Sequence, residues 1–250
     1  MGRLQDRVAI VTGGSQGIGL AMARAFAREG AAVVISSRRA DAIEAAAREL
    51  DPTGARVIGV AADVARREDA RATIATAVER FGRVDILVNN AQATRQAKIE
   101  DITDDSIELT LGSGLLGTLY HMQAAFPHLR ERGGSVINFG TRQGIYGEPG
   151  DGIYGANKEA IRGLSRSAAR EWGQFGIRVN VINPAALSPS AERALAADPV
   201  RAQKYSDELS LRRFGRPDED LAPIAVFLAS YDANYVTGQT INADGGQIML

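Results

Sequence analysis

Residues 7–19 read Arg-Val-Ala-Ile-Val-Thr-Gly-Gly-Ser-Gln-Gly-Ile-Gly, an apolar run followed at once by a glycine-rich loop. The apolar run shows no clean alternation with polar residues, which is typical of a strand buried on both faces of a parallel sheet. Residues 20–29 then have the apolar spacing of a helix and are followed by Gly30. Glycines between a strand and a helix let the backbone approach a phosphate, and the helix N-terminus supplies free N–H donors. The stretch therefore predicts a βα unit with a phosphate-binding turn.

The same alternation of apolar runs and helical segments continues along the chain. It predicts an α/β fold with right-handed βαβ units, a doubly wound parallel sheet of about seven strands and helices on both faces. The predicted strands after the first are residues 32–36, 56–61, 84–88, 135–139, 177–182 and 240–242, and the later helices are residues 41–50, 66–81, 103–132 and 152–174.

The length of the chain suits a single domain over residues 1–250. Its least regular part, about residues 185–216, is alanine-rich, charged and punctuated by proline. Segments that follow a late strand in such sheets lie over the strand C-termini, where ligands bind. We expect a mobile substrate lid here, and an ordinary surface connection is the alternative.

Composition excludes several classes of function. The chain has no cysteine, so it has no disulfide, thiol nucleophile or thiolate metal site, and its two histidines, His121 and His128, are too few for a histidine-based metal centre. A net charge of −1 gives no indication of a nucleic acid or a membrane surface as partner. We see no signal peptide and no apolar run of spanning length, so we expect a cytoplasmic protein without a metal.

Tyr154 and Lys158 are four residues apart in a predicted helix and should share one face of it. A nearby cation favours the phenolate, so we expect the pKa of Tyr154 to fall from ~10 toward the working range. Thr141 follows the predicted strand 135–139, and its hydroxyl could bond the carbonyl oxygen that Tyr154 protonates. Taken alone, such a Tyr-x-x-x-Lys pair also fits a solvated helix face.

Together with the loop Thr12–Gly19 and with Asn89-Asn90-Ala91, this pair resembles the short-chain dehydrogenase/reductase family. The resemblance spans essentially the whole chain, through Asp244-Gly245-Gly246. It implies a Rossmann-type fold and hydride transfer between a nicotinamide and a ketone or secondary alcohol. It also implies that Tyr154 is the general acid in reduction and the base in oxidation. Lys158 would hold the nicotinamide ribose, and Thr141 stands where the family has its serine.

The resemblance further implies the choice of nucleotide. NAD sites usually carry a carboxylate at the end of the second strand, for the ribose 2′-hydroxyl. Ser37 stands there in this chain, followed by Arg38 and Arg39, and a guanidinium suits a 2′-phosphate. Arg39 could instead merely start a solvated helix, and Gln16 is neutral where some NADP relatives are basic. We expect NADP, with NAD less favoured.

Other cofactor contacts follow from the family motifs. Asp63 and Val64 resemble the adenine-contacting pair, although Asp63 could also cap the next helix. The full set of expected cofactor contacts is Gly13, Ser15, Gln16, Ile18, Gly19, Ser37, Arg38, Arg39, Asp63, Val64, Asn90, Ala91, Tyr154, Lys158, Pro184 and Leu187. Ser188 could add a bond to the carboxamide or to a phosphate, or could simply face solvent.

Three positions depart from the family pattern. Gln92 replaces a glycine after Asn90-Ala91, Ala185 replaces the glycine after Pro184, and Gly114 falls where the family has an asparagine that supports a proton relay. A cluster of glycines around Gly114 should disfavour a helix by about 1 kcal/mol each. Either the helix packs closely or kinks there and admits water, or the proton relay is impaired.

Three hypotheses about function follow. The first is an NADP(H)-dependent oxidoreductase that acts on a small-molecule carbonyl or alcohol. The second is a cofactor-binding protein with weak or no turnover, which rests on Gly114, Gln92 and Ala185. The third is a non-redox enzyme on the same scaffold, although such relatives tend to lose the nucleotide loop or the lysine. Relatives are commonly dimers or tetramers joined through two long helices and the last strand, so we expect a homotetramer.

Overall fold

The computed structural model describes residues 2–187, 192 and 195–249. The strands are β1 Val8–Thr12, β2 Ala32–Ser37, β3 Val57–Ala61, β4 Ile86–Asn89, β5 Gly134–Phe139, β6 Ile177–Pro184 and β7 Thr240–Ala243. Within the described residues the α-helices are α1 Gly17–Arg28, α2 Ala40–Leu50, α3 Arg67–Phe81, α4 Asp104–Leu111, α5 Gly117–Arg130, α6 Gln143–Tyr146, α7 Gly152–Trp172, α8 Pro199–Glu208 and α9 Ala222–Ala229. Short 3₁₀ and π turns join several of them.

The seven strands form one parallel sheet in the order β3-β2-β1-β4-β5-β6-β7. Successive strands are added on one side of β1 as far as β3, and from β4 onward they are added on its other side. The strand order therefore switches between β1 and β4, where Ala9 pairs with Ile86. Because all strands run the same way, their carboxyl ends lie at one edge of the sheet. A crevice forms at that edge beside the switch from β1 to β4, which is where doubly wound sheets bind ligands.

Two hydrophobic cores cover the two faces of the sheet. Met22 and Phe26 of α1, with Val226 of α9, belong to the core on one face. Ile74 of α3 and Met122 of α5 belong to the core on the other face. The sheet interior is apolar on both faces, as all five residues of β1 are buried. The predicted α/β sheet with helices on both sides is confirmed.

The predicted elements agree with the structure to within a few residues, with informative exceptions. The segment predicted as one helix over 103–132 is two helices, α4 and α5, joined by a π turn at Gly112–Leu116. Helix α9 has no counterpart among the predictions, because residues 222–229 are apolar on nearly every side and give no helical periodicity. None of the helices in the described ranges is long and apolar enough to cross a membrane.

Candidate active site

A cavity of about 530 Å³ opens at the carboxyl edge of the sheet. That volume lies within the range of small-molecule and cofactor sites, about 300–1,000 Å³. It extends from the ends of β1, β2 and β3, past β4, to the first turn of α7. Its walls are formed by Gly13, Ser15, Gln16, Gly17, Ile18, Ser37, Arg38, Arg39, Ala62, Asp63, Val64, Ala65, Asn90, Ala91, Gln92, Ala93, Thr94, Glu108, Leu109, Ser113 and Tyr154.

The glycine loop is fixed against the end of β4. The Asn90 side-chain amide donates to the carbonyl oxygens of Thr12 at 2.9 Å and Gly13 at 3.2 Å. Gly13 has φ +67°, a left-handed conformation that favours glycine. A Cβ on Gly19 would contact Gly13 O and lie 2.6 Å from Asn90 Nδ2. Gly19 therefore lies behind the cavity wall and permits the close packing of loop on helix, while Gly13 is in the wall itself.

The far end of the cavity carries positive charge. Arg38 and Arg39 line it, are exposed, and form no ion pair within the described residues. The Ser37 hydroxyl is bonded to the Arg39 carbonyl oxygen at 3.3 Å. Asp63 accepts from the backbone N–H of Ala65 at 3.0 Å, so its carboxylate already holds a turn. Two unpaired guanidinium groups beside a crevice can accept a phosphate, because bidentate bonds to phosphate suit arginine.

Tyr154, Thr141 and Lys158 come together at the other end. The Thr141 hydroxyl donates to the side-chain oxygen of Gln143 and lies close enough to the phenol of Tyr154 to affect its pKa. Lys158 Nζ lies 5.8 Å from the centre of the Tyr154 ring, as expected for two residues on one face of α7. Tyr154 is half-buried with its ring in the cavity wall, whereas Lys158 is 3% exposed.

The prediction that the pKa of Tyr154 falls is wrong. Burial raises the pKa of Tyr154 to about 12; the Thr141 hydroxyl opposes the rise, and the Asp151 carboxylate adds to it. Burial also lowers the pKa of Lys158 to about 8. Lys158 does not offset the loss of hydration at the phenol. Tyr154 is thus held protonated at neutral pH.

The residues present fit a dinucleotide. The glycine loop leaves room where a Cβ would fill the space, guanidiniums lie at one end of the cavity, and a phenol lies at the other. Of the expected contacts, Gly19, Lys158, Pro184 and Leu187 are not in the cavity wall. Pro184 ends β6, and the Leu187 backbone N–H donates to Gly215 O at 3.0 Å. Ser188 lies outside the described residues.

Comparison with known proteins agrees with this geometry. A family model described as enoyl-(acyl carrier protein) reductase matches residues 13–247. The 12α-hydroxysteroid dehydrogenase of a Clostridium species is 38% identical over 254 residues, covering 98% of each chain. The human dehydrogenase/reductase SDR family member 4 is 36% identical over 245 residues, covering 97% of this chain and 88% of its own. The chain belongs to the short-chain dehydrogenase/reductase family.

A solved structure shows the same fold with a nucleotide bound. The gluconate 5-dehydrogenase from Burkholderia cenocepacia J2315, crystallised in complex with NADP and tartrate, matches with a TM-score of 0.92 at 34% identity. The match covers 98% of this chain and 96% of that one. This chain is therefore a member of an oxidoreductase family whose solved relatives include a nicotinamide complex. The described part of the chain contains no cluster of three or more His, Cys, Asp or Glu side chains placed to hold a metal ion.

Sequence reasoning missed part of the cavity wall. Ala93, Thr94, Glu108, Leu109 and Ser113 line it, yet no motif marked them. They come from the segment after β4 and from the end of α4, including the π turn. A signal was available in the glycine cluster at 112–117, since helix-disfavouring residues within a helix often mark an irregular turn at a functional site.

Helix α8, inside the predicted lid, contacts the loop that follows Thr141. Arg142 is ion-paired with Glu208 of α8 at 2.7 Å and with Glu148 at 3.3 Å. The Tyr205 hydroxyl donates to Glu148 at 3.0 Å, and the Arg142 guanidinium lies 4.8 Å from the Tyr205 ring centre. These contacts join helix α8, in the described part of segment 185–216, to the loop that follows Thr141.

Proposed function

We propose that this chain is an NADP(H)-dependent oxidoreductase that transfers a hydride between the nicotinamide and a ketone or secondary alcohol, with Tyr154 as general acid and base. The observation that carries the proposal is one cavity that has Arg38 and Arg39 at one end and Tyr154 at the other, with the Thr141 hydroxyl and the buried Lys158 beside the phenol. The dehydrogenase names of the relatives and the NADP in the solved complex support the same reaction class.

The protein's own groups account for the proton. A bound nicotinamide supplies or accepts the hydride. In reduction, Tyr154 Oη donates its proton to the carbonyl oxygen, and Thr141 Oγ1 positions that oxygen. A pKa of about 12 keeps Tyr154 protonated at neutral pH, so the proton that reduction consumes is already on the phenol. Lys158, which is protonated below pH 8, favours the phenolate that remains and so eases the transfer.

Nucleotide choice rests on Ser37, Arg38 and Arg39. None of the three carries a carboxylate for a ribose 2′-hydroxyl, and a 2′-phosphate would meet two guanidiniums that have no acidic partner in the described ranges. We expect binding to NADPH to exceed binding to NADH, and Arg38→Ala to reduce this preference. Isothermal titration with both nucleotides measures it. Equal affinities in the wild-type protein would contradict the assignment.

The reaction itself is tested with a panel of ketones and NADPH. Oxidation of NADPH, followed at its absorbance band, is expected with at least one activated ketone. Tight NADPH binding without turnover across a broad panel would instead favour the cofactor-binding alternative. Release of a halide or an isomerised product without nucleotide would favour the non-redox alternative.

The assembly proposed for this chain is a homotetramer, and the whole of residues 1–250 is proposed as one catalytic unit with its lid near residues 185–216. Strand β7 lies at the edge of the sheet, and Tyr235 and Met249 nearby are exposed apolar side chains. Light scattering that gives a monomer mass would contradict the tetramer.

A further inference from the structure

Two side-chain amides meet at the point where β4, the π turn and α7 approach one another. Asn157 Nδ2 donates to Gln92 Oε1 at 3.0 Å. Asn157 Oδ1 accepts from the backbone N–H of Leu115, in the π turn, at 2.9 Å. Gln92 Nε2 in turn donates to Ala93 O at 2.9 Å and Thr110 O at 3.2 Å. Both amides are therefore hydrogen-bonded at both ends, which is the condition under which a polar network adds rigidity.

This amide pair occupies the space beside Gly114. A Cβ on Gly114 would contact Asn157 Nδ2 and would lie 2.5 Å from both Asn157 Oδ1 and Gln92 Oε1. The neighbouring atoms are ends of side chains, but neither can retreat without breaking bonds to Leu115 N or Thr110 O. The amides of Gln92 and Asn157 can therefore occupy this space only because residue 114 is a glycine.

The pair lies next to the catalytic groups. Asn157 is fully buried and immediately precedes Lys158, on the helix turn that begins at Tyr154. Gln92 lines the cavity. A hydrogen bond that fixes Asn157 also fixes the first turns of α7, and with them the direction in which Tyr154 and Lys158 project. The π turn, which would otherwise be an irregular segment between α4 and α5, is held to α7 by the same bonds.

We propose that Gln92 and Asn157 are positioning residues, which together replace a side chain at position 114 and set the placement of Lys158 and Tyr154 relative to the cavity. This inference deepens the proposed function and rests on it for its catalytic consequence. It explains why the chain differs from the family pattern at both Gly114 and Gln92, because either residue would be unfavourable without the other.

The experiment adds a side chain at position 114 and, separately, removes the two amides that occupy the space beside it. Three variants are compared with the wild type: Gly114→Asn, the pair Gln92→Gly/Asn157→Ser, and the triple variant that combines them. Alone, Gly114→Asn should displace both amides and lower kcat on the order of 10²-fold, the effect of a displacement near 1 Å at a catalytic group. In the pair background the same substitution should raise kcat and the urea midpoint, because an asparagine side chain then fills a space left empty. An equal effect of Gly114→Asn in both backgrounds would overturn the proposal.

A second measurement separates positioning from ordinary stability and needs no turnover. Urea unfolding of the cofactor-free proteins at pH 7 and pH 10 reports the environment of buried Lys158 through its pH dependence. Gly114→Asn should reduce the difference between the free energies of unfolding at pH 7 and pH 10, and the triple variant should restore that difference. Asn180→Ser is the control, since Asn180 is a fully buried amide bonded to Val236 O and Gln239 N away from the cavity.

The control should lose stability equally at both pH values. If Gly114→Asn behaves as the control does, the amide pair is only structural and its positioning role is refuted. If the wild type turns over no substrate, the proposed function fails. The positioning of Lys158 is still tested, because Gly114→Asn should lower the urea midpoint in the wild-type background and raise it in the pair background, and should change the pH dependence of unfolding.

Discussion

Replacing Lys158 by methionine should stabilise the cofactor-free protein while abolishing its activity. Nζ of Lys158 is buried and has no hydrogen-bond or ion-pair partner among the residues that the structure describes. Burial lowers its pKa from 10.5 to about 8. Since each tenfold change in a protonation equilibrium corresponds to about 1.4 kcal/mol, the buried cation destabilises the native state by about 3 kcal/mol at neutral pH.

The sign and the pH window follow from the direction of the pKa shift. Below pH 8 the lysine is protonated in both the native and the unfolded state, so its destabilisation is complete. Between pH 8 and 10.5 the native lysine has lost its proton while the unfolded one keeps it, so the destabilisation fades as pH rises. Methionine has a stem of similar shape and no charge, so Lys158→Met should gain most at pH 7 and little at pH 10.5.

Urea unfolding at pH 7, 8.5 and 10 measures this difference, and Lys98→Met is the matched control because Lys98 is exposed. The reasoning is refuted if Lys158→Met is no more stable than the wild type at pH 7. It is equally refuted if its advantage is the same at pH 7 and pH 10, because a hydrophobic gain alone would not depend on pH.

Other substitutions test separate parts of the site. Tyr154→Phe should lower kcat by about 10²–10⁴-fold, the usual contribution of a general acid, and leave the NADPH dissociation constant from titration calorimetry unchanged. Gly19→Ala should weaken NADPH binding and reduce the free energy of unfolding by about 1–3 kcal/mol, since a Cβ there meets Gly13 O. Gly163→Ala, where a Cβ meets nothing within 4 Å in the middle of α7, should instead raise the urea midpoint through a gain of up to ~1 kcal/mol. Arg142→Met should release Glu208 and make α8 more sensitive to limited proteolysis, with a higher KM; an unchanged digestion pattern would show that the ion pair does not hold the helix.

The sheet was predictable because each strand carries its own signal. A strand such as β1 is buried on both faces, so its residues are apolar irrespective of what surrounds them. The glycine loop is equally local, since the left-handed conformation of Gly13 and the close packing of Gly19 restrict the residue types directly. The candidate residues of the cavity were found for the same reason, as most of them lie in or beside short motifs.

The properties that escaped prediction depend on residues distant in sequence. The pKa of Tyr154 follows the burial of its phenol, and burial is set by neighbours that no pair spacing reveals. Gln92, Gly114 and Asn157 each look unfavourable or neutral alone, and their compatibility is visible only once the three are adjacent. Helix α9 was not predicted because its residues are apolar on nearly every side, so the sequence shows no helical periodicity there.

The strand order has a consequence for how the chain acquires its structure during synthesis. Strands β1, β2 and β3 are consecutive in the chain and can pair as soon as the first segment leaves the ribosome. The Asn90 amide that closes the glycine loop is synthesised only after β4, whose Ile86 must pair with Ala9 after strands β2 and β3 and helices α1 to α3 have intervened in the chain. Closure of such distant pairs is slow compared with local pairing. The nascent chain should therefore expose an unfinished sheet edge on β1 for a time, and this edge is where we expect holdase chaperones to bind and misassembly to begin.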